Sequence, residues 1–292
     1  MMKNVRTTRS IPHAAYFPSP SADNGPTRWL AVVRNDIREL TYFWPVVQNM
    51  VSQDLRVRYQ RSVLGFLWTL INPILMMATL TLVFSQVFQV PDWKLYAMHI
   101  FAGQVSWTMF AGSLNDSANS ILANEGLIKK IYLPKLIFPL ARILINLTTF
   151  LLSLVALYLL AGGFLGAKLS PSMILLPLLI GLLAAFAMGL GLILAVANTF
   201  YRDTGHLIAV ILQAWYFATP IIWSETTMSP TTQARCWLNP AYPFIKMFQL
   251  IICDGQWPAP TFLLTAACLA TVSLGIGYVT FKCHENKLVF RL

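Results

Sequence analysis

"LSPSMILLPLLIGLLAAFAMGLGLILAVANTFY", residues 169–201, runs for 33 positions without an Asp, Glu, Lys or Arg. A helix rises about 1.5 Å per residue and the hydrocarbon of a bilayer is about 30 Å thick, so about 20 apolar residues suffice to cross it. Five further uncharged windows pass the same test: 62–91, 95–115, 143–167, 204–224 and 255–281. No other uncharged stretch of the chain reaches that length. Composition agrees, with 57% hydrophobic and only 11% charged residues, whereas about 25% of an average soluble domain is charged. The chain therefore reads as an all-α polytopic membrane protein of six transmembrane helices, at about 64–88, 96–114, 137–162, 173–198, 205–223 and 259–281.

Six spans put both termini on one side, and the lysines and arginines say which. Seventeen of the 21 fall before span one, between spans two and three, between spans four and five, or after span six. Lys94, Lys168, Arg235 and Lys246 alone face the other way. Because the Lys/Arg excess belongs in the cytoplasm, both termini are expected there, in the cytoplasmic (inner) membrane. The net charge of +10 is then an orientation signal that also attracts anionic headgroups, and not a nucleic-acid signature.

Residues 1–26 are polar and proline-bearing, with no apolar core to make a signal peptide, and read as a disordered cytoplasmic tail. From Thr27 onward Leu30, Val33, Ile37, Leu40 and Trp44 recur at spacings of three and four, opposite Arg34, Asp36, Arg38 and Glu39. This predicts one amphipathic helix ended by Pro45, then a second stretch from Val46 to Arg61, so residues 27–61 lie in the plane of the membrane interface. Arg56, Arg58 and Arg61 form a basic collar that anchors the start of span one at the headgroups. Residues 285–292 form a cytoplasmic tail.

Inside the spans, Pro73, Pro177 and Pro220 each remove a backbone donor, which predicts kinks of structural or gating use. More telling is what the spans omit. Ion-coupled carriers keep ionisable groups at membrane depth, and the windows hold none apart from His99 and His206 near window ends, where an interfacial histidine is the plain reading. Polytopic enzymes need an acid, a base or a metal cluster, and no HExxH, carboxylate pair or cysteine metal spacing occurs. Work is then expected to arrive from outside, through the cytoplasmic loops. "NDSANSILANEGLIKKIYLPK" (115–135) has room for a helix of three or four turns with an apolar patch at Ile121, Leu122, Leu127 and Ile128; "NTFYRDTGH" (198–206) carries Arg202 beside Asp203. Neither contains GxxxxGK[ST], the phosphate cradle of an ATPase, so any ATPase is a separate chain.

Together, "RYQRSVLGFLWTLINPILMM", "NEGLIKKIYLPKLIFPL", "NTFYRDTGHLIAVILQAWYFATPIIW" and "LNPAYPFIKMFQLII" resemble the permease subunits of ABC-2-type exporters of lipid-linked polysaccharides. O-antigen exporters are the nearest in pattern, with capsular polysaccharide and teichoic acid exporters as relatives. The resemblance covers roughly residues 30–285 in order; the extension before Thr27 falls outside it. It implies a homodimer with two nucleotide-binding subunits docked below, ATP and Mg being held by those subunits and no cofactor by this chain. By position it implies an interface helix at 30–44, a coupling helix at about 116–130, and a second ATPase contact at 200–206. Asn124, Glu125, Leu127, Lys129 and Lys130 are then the coupling set, with Arg202 and Asp203 beside it. A helix merely floating on the headgroups is the plainer alternative.

In that reading the aromatics of spans one and two, Phe66, Trp68, Phe84, Phe88, Trp107 and Phe110, are candidates to line the polysaccharide route, since sugar C–H faces pack on rings; interfacial aromatic belts are the alternative for each. The outer segment 225–254 contains "NPAYPF" (239–244), which restarts a helix with Pro243 in its first turn and an apolar stripe at Phe244, Ile245, Phe248, Ile251 and Ile252. The resemblance implies short outer gate helices here, with Tyr242, Phe244 and Phe248 at the channel mouth; an interfacial cap is the alternative. Cys236 and Cys253 share this oxidising-side segment as a candidate disulfide, although spacing does not fix geometry, while Cys268 and Cys283 are expected to stay reduced. Ala185 with Gly189, and Gly162 with Gly166, permit close helix approach, ordinary packing being their plain use. A lipid-carrier enzyme and an ion-coupled carrier remain the competing classes.

Overall fold

Every regular element among the described residues is helical. The structure is a computed structural model and describes residues 26–60, 64–160, 170–225 and 228–292. Six helices occupy the six uncharged windows: α3 (Trp68–Val87), α4 (Trp93–Asn119), α6 (Ile137–Leu160), α7 (Leu176–Phe200), α8 (Thr204–Ala218) and α11 (Pro260–Leu288). Before them lie α1 (Pro26–Tyr42) and α2 (Trp44–Tyr59); between them lie the single turn α5 (Glu125–Ile128) and the short α9 (Pro230–Cys236) and α10 (Tyr242–Gln249).

Helices α3, α6, α7 and α11 are long and apolar enough to cross a membrane. The other two differ for local reasons. Helix α4 has 27 residues, but Gln104, Thr108, Asn115 and Asp116 dilute its apolarity. Helix α8 stops after 15 residues, about 22 Å, because Thr219 turns extended and Pro220 offers no amide to continue the ladder. Pro220 thus terminates a helix instead of kinking one. Pro177 falls in the first turn of α7, where its missing N–H costs nothing, and α3 runs continuously through Pro73.

Helix α7 is the axis of the bundle, packed between α4 and α11. At its crossing with α11, Gly189 meets Ser273 and Gly277 backbone to backbone, and Gly191 meets Ser117 of α4. Small residues let membrane helices approach closely where no hydrophobic force drives them together. A column of stacked rings fills the interior: Phe110 of α4 on Phe186 of α7 (5.4 Å between centroids), then Phe186 on Phe244 of α10 (4.9 Å). Helix α3 stands at the edge, with only Thr69 and Thr81 buried and Leu75, Leu82 and Val87 exposed. A helix apolar all round belongs in lipid or against another subunit.

Helix α1 breaks at Phe43, and Pro45 opens α2 instead of closing α1. Its exposed stripe is Leu30 and Ile37, continued by Trp44. Its polar side is not simply solvated: Asp36 is buried, accepts a hydrogen bond from the Tyr278 hydroxyl (2.6 Å) and pairs with Lys282 (2.8 Å), both on α11. Lys282 also pairs with Glu285 (2.7 Å). A second bracket joins α2 to α6 through Asp54 and Arg142 (2.8 Å).

Candidate functional site

Between α4 and α6 the expected helix of three or four turns is absent. Helix α4 instead continues through Asn119, because Asp116 accepts a hydrogen bond from Asn146 of α6 (2.8 Å) and Ser117 and Ala118 are buried in the bundle. The chain beyond Asn119 is tightly wound: the Ser120 hydroxyl bonds to the Ser117 carbonyl and the Asn124 amide to the Ser120 carbonyl, both at 2.7 Å, around a 3-10 turn at Leu122–Asn124. Only the four residues of α5 then stand out. Of the proposed apolar patch Ile121 is fully buried, while Leu127 is exposed.

Lys129, at the C-terminal cap of α5, pairs with Glu125 at 2.5 Å, and Lys129 and Lys130 face outward. The hydrogen bond and charge of Lys129 hold the Glu125 carboxyl below the ordinary glutamate range, and Arg202 adds to the effect. That influence is informative, since Arg202 belongs to the other loop. Arg202 and Asp203 are exposed between α7 and α8, beside Tyr201. The structure therefore brings Asn124, Glu125, Leu127, Lys129 and Lys130 together with Arg202 and Asp203 at one end of the bundle.

The link between these loops is a residue that sequence reading passes over. Asn198, fully buried in the last turn of α7, donates to the Ala118 carbonyl (3.0 Å) and to the Asn119 side-chain oxygen (3.1 Å), and accepts from the Gly205 amide (2.8 Å). Its only signal is an asparagine at the end of an otherwise apolar window, seven positions before a glycine.

Other predicted residues lie elsewhere. Trp107 and Phe110 are buried against Trp215 of α8 and, for Phe110, Phe186, so both sit in the core of the bundle. Trp68 and Phe88 are exposed at the two ends of α3, and Phe84 stacks on Phe88. Arg56 and Arg58 are exposed on α2, Arg58 pairing with Asp54 (3.1 Å). Arg61, the side chain of Phe66, Gly162 and Gly166 lie outside the described residues, as does the tail before Pro26. The outward edge of α4 offers different chemistry, with Thr108 exposed and Gln104 and Asn115 half-buried. Gln104 also accepts from the Tyr216 hydroxyl of α8 (2.5 Å).

At the opposite end, Tyr242, Phe244 and Phe248 are buried, with Phe248 edge-on to Phe150 of α6. Helix α10 is thus wedged into the bundle. From α10 itself Lys246 forms an ion pair with Glu225, and Gln249 bonds to His99 (3.1 Å) and to the Pro220 carbonyl (3.0 Å). His99 is therefore partnered within the protein, not at a headgroup. Cys236 and Cys253 are both free: Cys236 closes α9 with its thiol on the Thr232 carbonyl, and α10 with its π-helical continuation separates it from Cys253. Among the described residues no group of three His, Cys, Asp or Glu side chains gathers as a metal site.

The profile of a family described as "ABC-2 type transporter" matches residues 45–253. An O-antigen export system permease protein (RfbA) of Myxococcus xanthus is 29% identical over 255 residues, covering 86% of this chain and 96% of that protein. The O-antigen export system permease protein of Klebsiella pneumoniae is 28% identical over 74% of this chain and 83% of its own. The polysialic acid transport protein KpsM of Escherichia coli is 22% identical over 83% and 95%, respectively.

Proposed function

This chain belongs to the ABC-2 type transporter family, and from that premise we propose that it is the permease subunit of an ATP-driven exporter moving a lipid-linked, O-antigen-like polysaccharide across the cytoplasmic membrane. Two copies form the conduit, and two separate nucleotide-binding subunits hold ATP and Mg and hydrolyse the nucleotide. The permease itself is not an ATPase. Both termini, α1, α2, α5 and the Arg202 loop face the cytoplasm, in keeping with the position of 17 of the 21 lysines and arginines.

The carrying observation is the near full-length match to an O-antigen export permease, along 96% of that relative. The geometry fits it. An exposed, mostly basic surface formed by two loops is suited to receive a partner, and charge placed there steers and registers docking. When the partner closes on ATP, the push enters at α5 and at Arg202 and passes into α4, α7 and α8. Edge helix α3, with Trp68, Phe84 and Phe88, and the hydrogen-bonding edge of α4, with Gln104, Thr108 and Asn115, together form the conduit wall. Rings accept sugar C–H faces, while amides and hydroxyls exchange hydrogen bonds with sugar hydroxyls at little net cost.

The test is a strain lacking this chain. Lipid-linked polysaccharide should accumulate inside the cell and its surface form should disappear, and both should be restored by the wild-type chain together with its ATPase. Undiminished surface polysaccharide would overturn the reading. The similarity to a polysialic acid transport protein supports a second reading, export of a capsular polymer, with teichoic acid a further variant. The glycan that accumulates decides between them. A polytopic lipid-carrier enzyme would instead show turnover as a purified chain without any partner.

A further inference from the structure

We propose that Asn198 is a positioning residue for transport, the clamp that makes the two partner-facing loops move as one body; the proposal rests on the permease reading above. The last carbonyls of a helix and its first amides lack partners within the helix. Ala118 contributes such a carbonyl at the end of α4, and Gly205 such an amide in the first turn of α8. The side chain of Asn198, at the end of α7, satisfies both: its Nδ2 donates to the Ala118 carbonyl (3.0 Å) and its Oδ1 accepts from the Gly205 amide (2.8 Å). One planar group thus caps two helices from a third.

A primary amide suits this task because it presents donor and acceptor together, whereas a carboxylate only accepts. Asn119 adds a further link, accepting from the same Nδ2 (3.1 Å) while its own amide donates to the Asn115 carbonyl (3.0 Å). Nor is there slack in the clamp. A Cβ on Gly205 would lie 3.2 Å from Asn198 Oδ1 and 3.4 Å from Asn119 Oδ1. Helix α4 leads directly into the turn bearing Glu125 and Lys129, and the α7–α8 loop bears Arg202 and Asp203. A push on either loop therefore displaces α4 and α8 together, and without Asn198 each loop yields separately and the stroke is lost.

The measurement is polysaccharide moved per ATP hydrolysed by the full permease–ATPase complex in proteoliposomes. N198A is expected to lower that ratio tenfold or more while ATP turnover stays within about threefold of wild type. N198D, which keeps the acceptor half only, should fall between, and it carries the test if N198A fails to assemble. A disulfide between the cysteines of N119C and G205C, built on N198A, replaces the clamp covalently. Oxidation should raise the ratio at least fivefold over the reduced protein, whereas a purely stabilising role would restore the melting temperature and leave the ratio low. An N198A or N198D complex whose ratio equals that of an active wild type overturns this inference alone. A wild-type complex that hydrolyses ATP and moves no polysaccharide overturns the permease reading and this inference with it.

Discussion

Gly277 of α11 lies so close to Gly189 of α7 that a Cβ added to it would sit 2.0 Å from the Gly189 carbonyl oxygen; one added to Gly189 would sit 2.2 Å from the Ser273 carbonyl carbon. These atoms are backbone, so neither contact is relieved by a rotamer change and the two helices must part. Overpacking of a tight interior costs roughly 1–3 kcal/mol, and G277A and G189A are expected at the upper end, about 3 kcal/mol each. The double variant should cost less than their sum, because both act on one crossing. Gly181 and Gly275 are internal controls, with nothing within 4 Å of a Cβ, and G181A or G275A should leave stability unchanged or raise it slightly. Thermal unfolding in lipid nanodiscs reads all five variants, and G277A as stable as G275A would refute the crossing.

How far the sequence is legible depends on the kind of signal each feature leaves. The helices show because hydrocarbon excludes charge, a constraint acting on every residue of a window. Helix faces do not show where a helix is apolar all round. Trp107 and Phe110 sit three apart on α4 and share a face, but nothing local says that the face turns toward Phe186 and Trp215. Gly189 reads as a packing residue, yet its partner Gly277 lies 88 positions along the chain. Pro220 reads as a kink, whereas the helix ends before it at Thr219, and Gln249 from α10 then satisfies the Pro220 carbonyl. The loop after α4 is legible as charged and exposed, and illegible in shape, since Asn146 and Asn198 on other helices hydrogen-bond to Asp116 and Ala118 within α4.

Glu39 gives a pH-dependent prediction. Burial, then the nearby Asp36 charge, push its carboxyl above the ordinary glutamate range, with Lys282 opposing. A carboxyl raised in the folded state binds its proton more tightly there, so stability is fullest below the unfolded value and falls as pH rises through the raised one. E39Q carries no such charge at any pH. It should therefore raise the melting temperature at neutral pH, and the gain should vanish below about pH 4, where glutamate is protonated in both states. A gain independent of pH would assign the effect to packing instead.

Lys246 and Glu225 are 13% and 7% exposed, so their pairing is judged against the cost of burying both. Removing one partner from a buried pair typically costs about 3–5 kcal/mol, because the other charge is stranded, whereas replacing both with apolar or neutral groups is often close to neutral. E225Q and K246M should each lower the unfolding free energy by about 3 kcal/mol, and E225Q/K246M should recover most of it. Because the pair ties α10 to the segment after α8, the single variants should also expose α10 to proteolysis sooner. Equal stability of E225Q and the double variant would show that Lys246 is solvated rather than held.

The charges of the surface proposed to receive the ATPase make the opposite case. The Glu125–Lys129 pair is exposed and spaced i, i+4, an arrangement worth only about 0.3–0.5 kcal/mol to folding. Its value lies in what it presents, and Lys130 and Arg202 extend the same basic edge. Reversal by K129E/K130E/R202E should leave the melting temperature of the isolated permease within a few degrees of wild type, while weakening ATPase binding tenfold or more. Since exposed charges are screened over about 10 Å at 0.1 M salt, wild-type binding should weaken as salt rises, whereas the reversed surface, held off by repulsion, should regain affinity. Undiminished capture of the ATPase by the reversed surface would mean that apolar contacts such as Leu127 carry the docking.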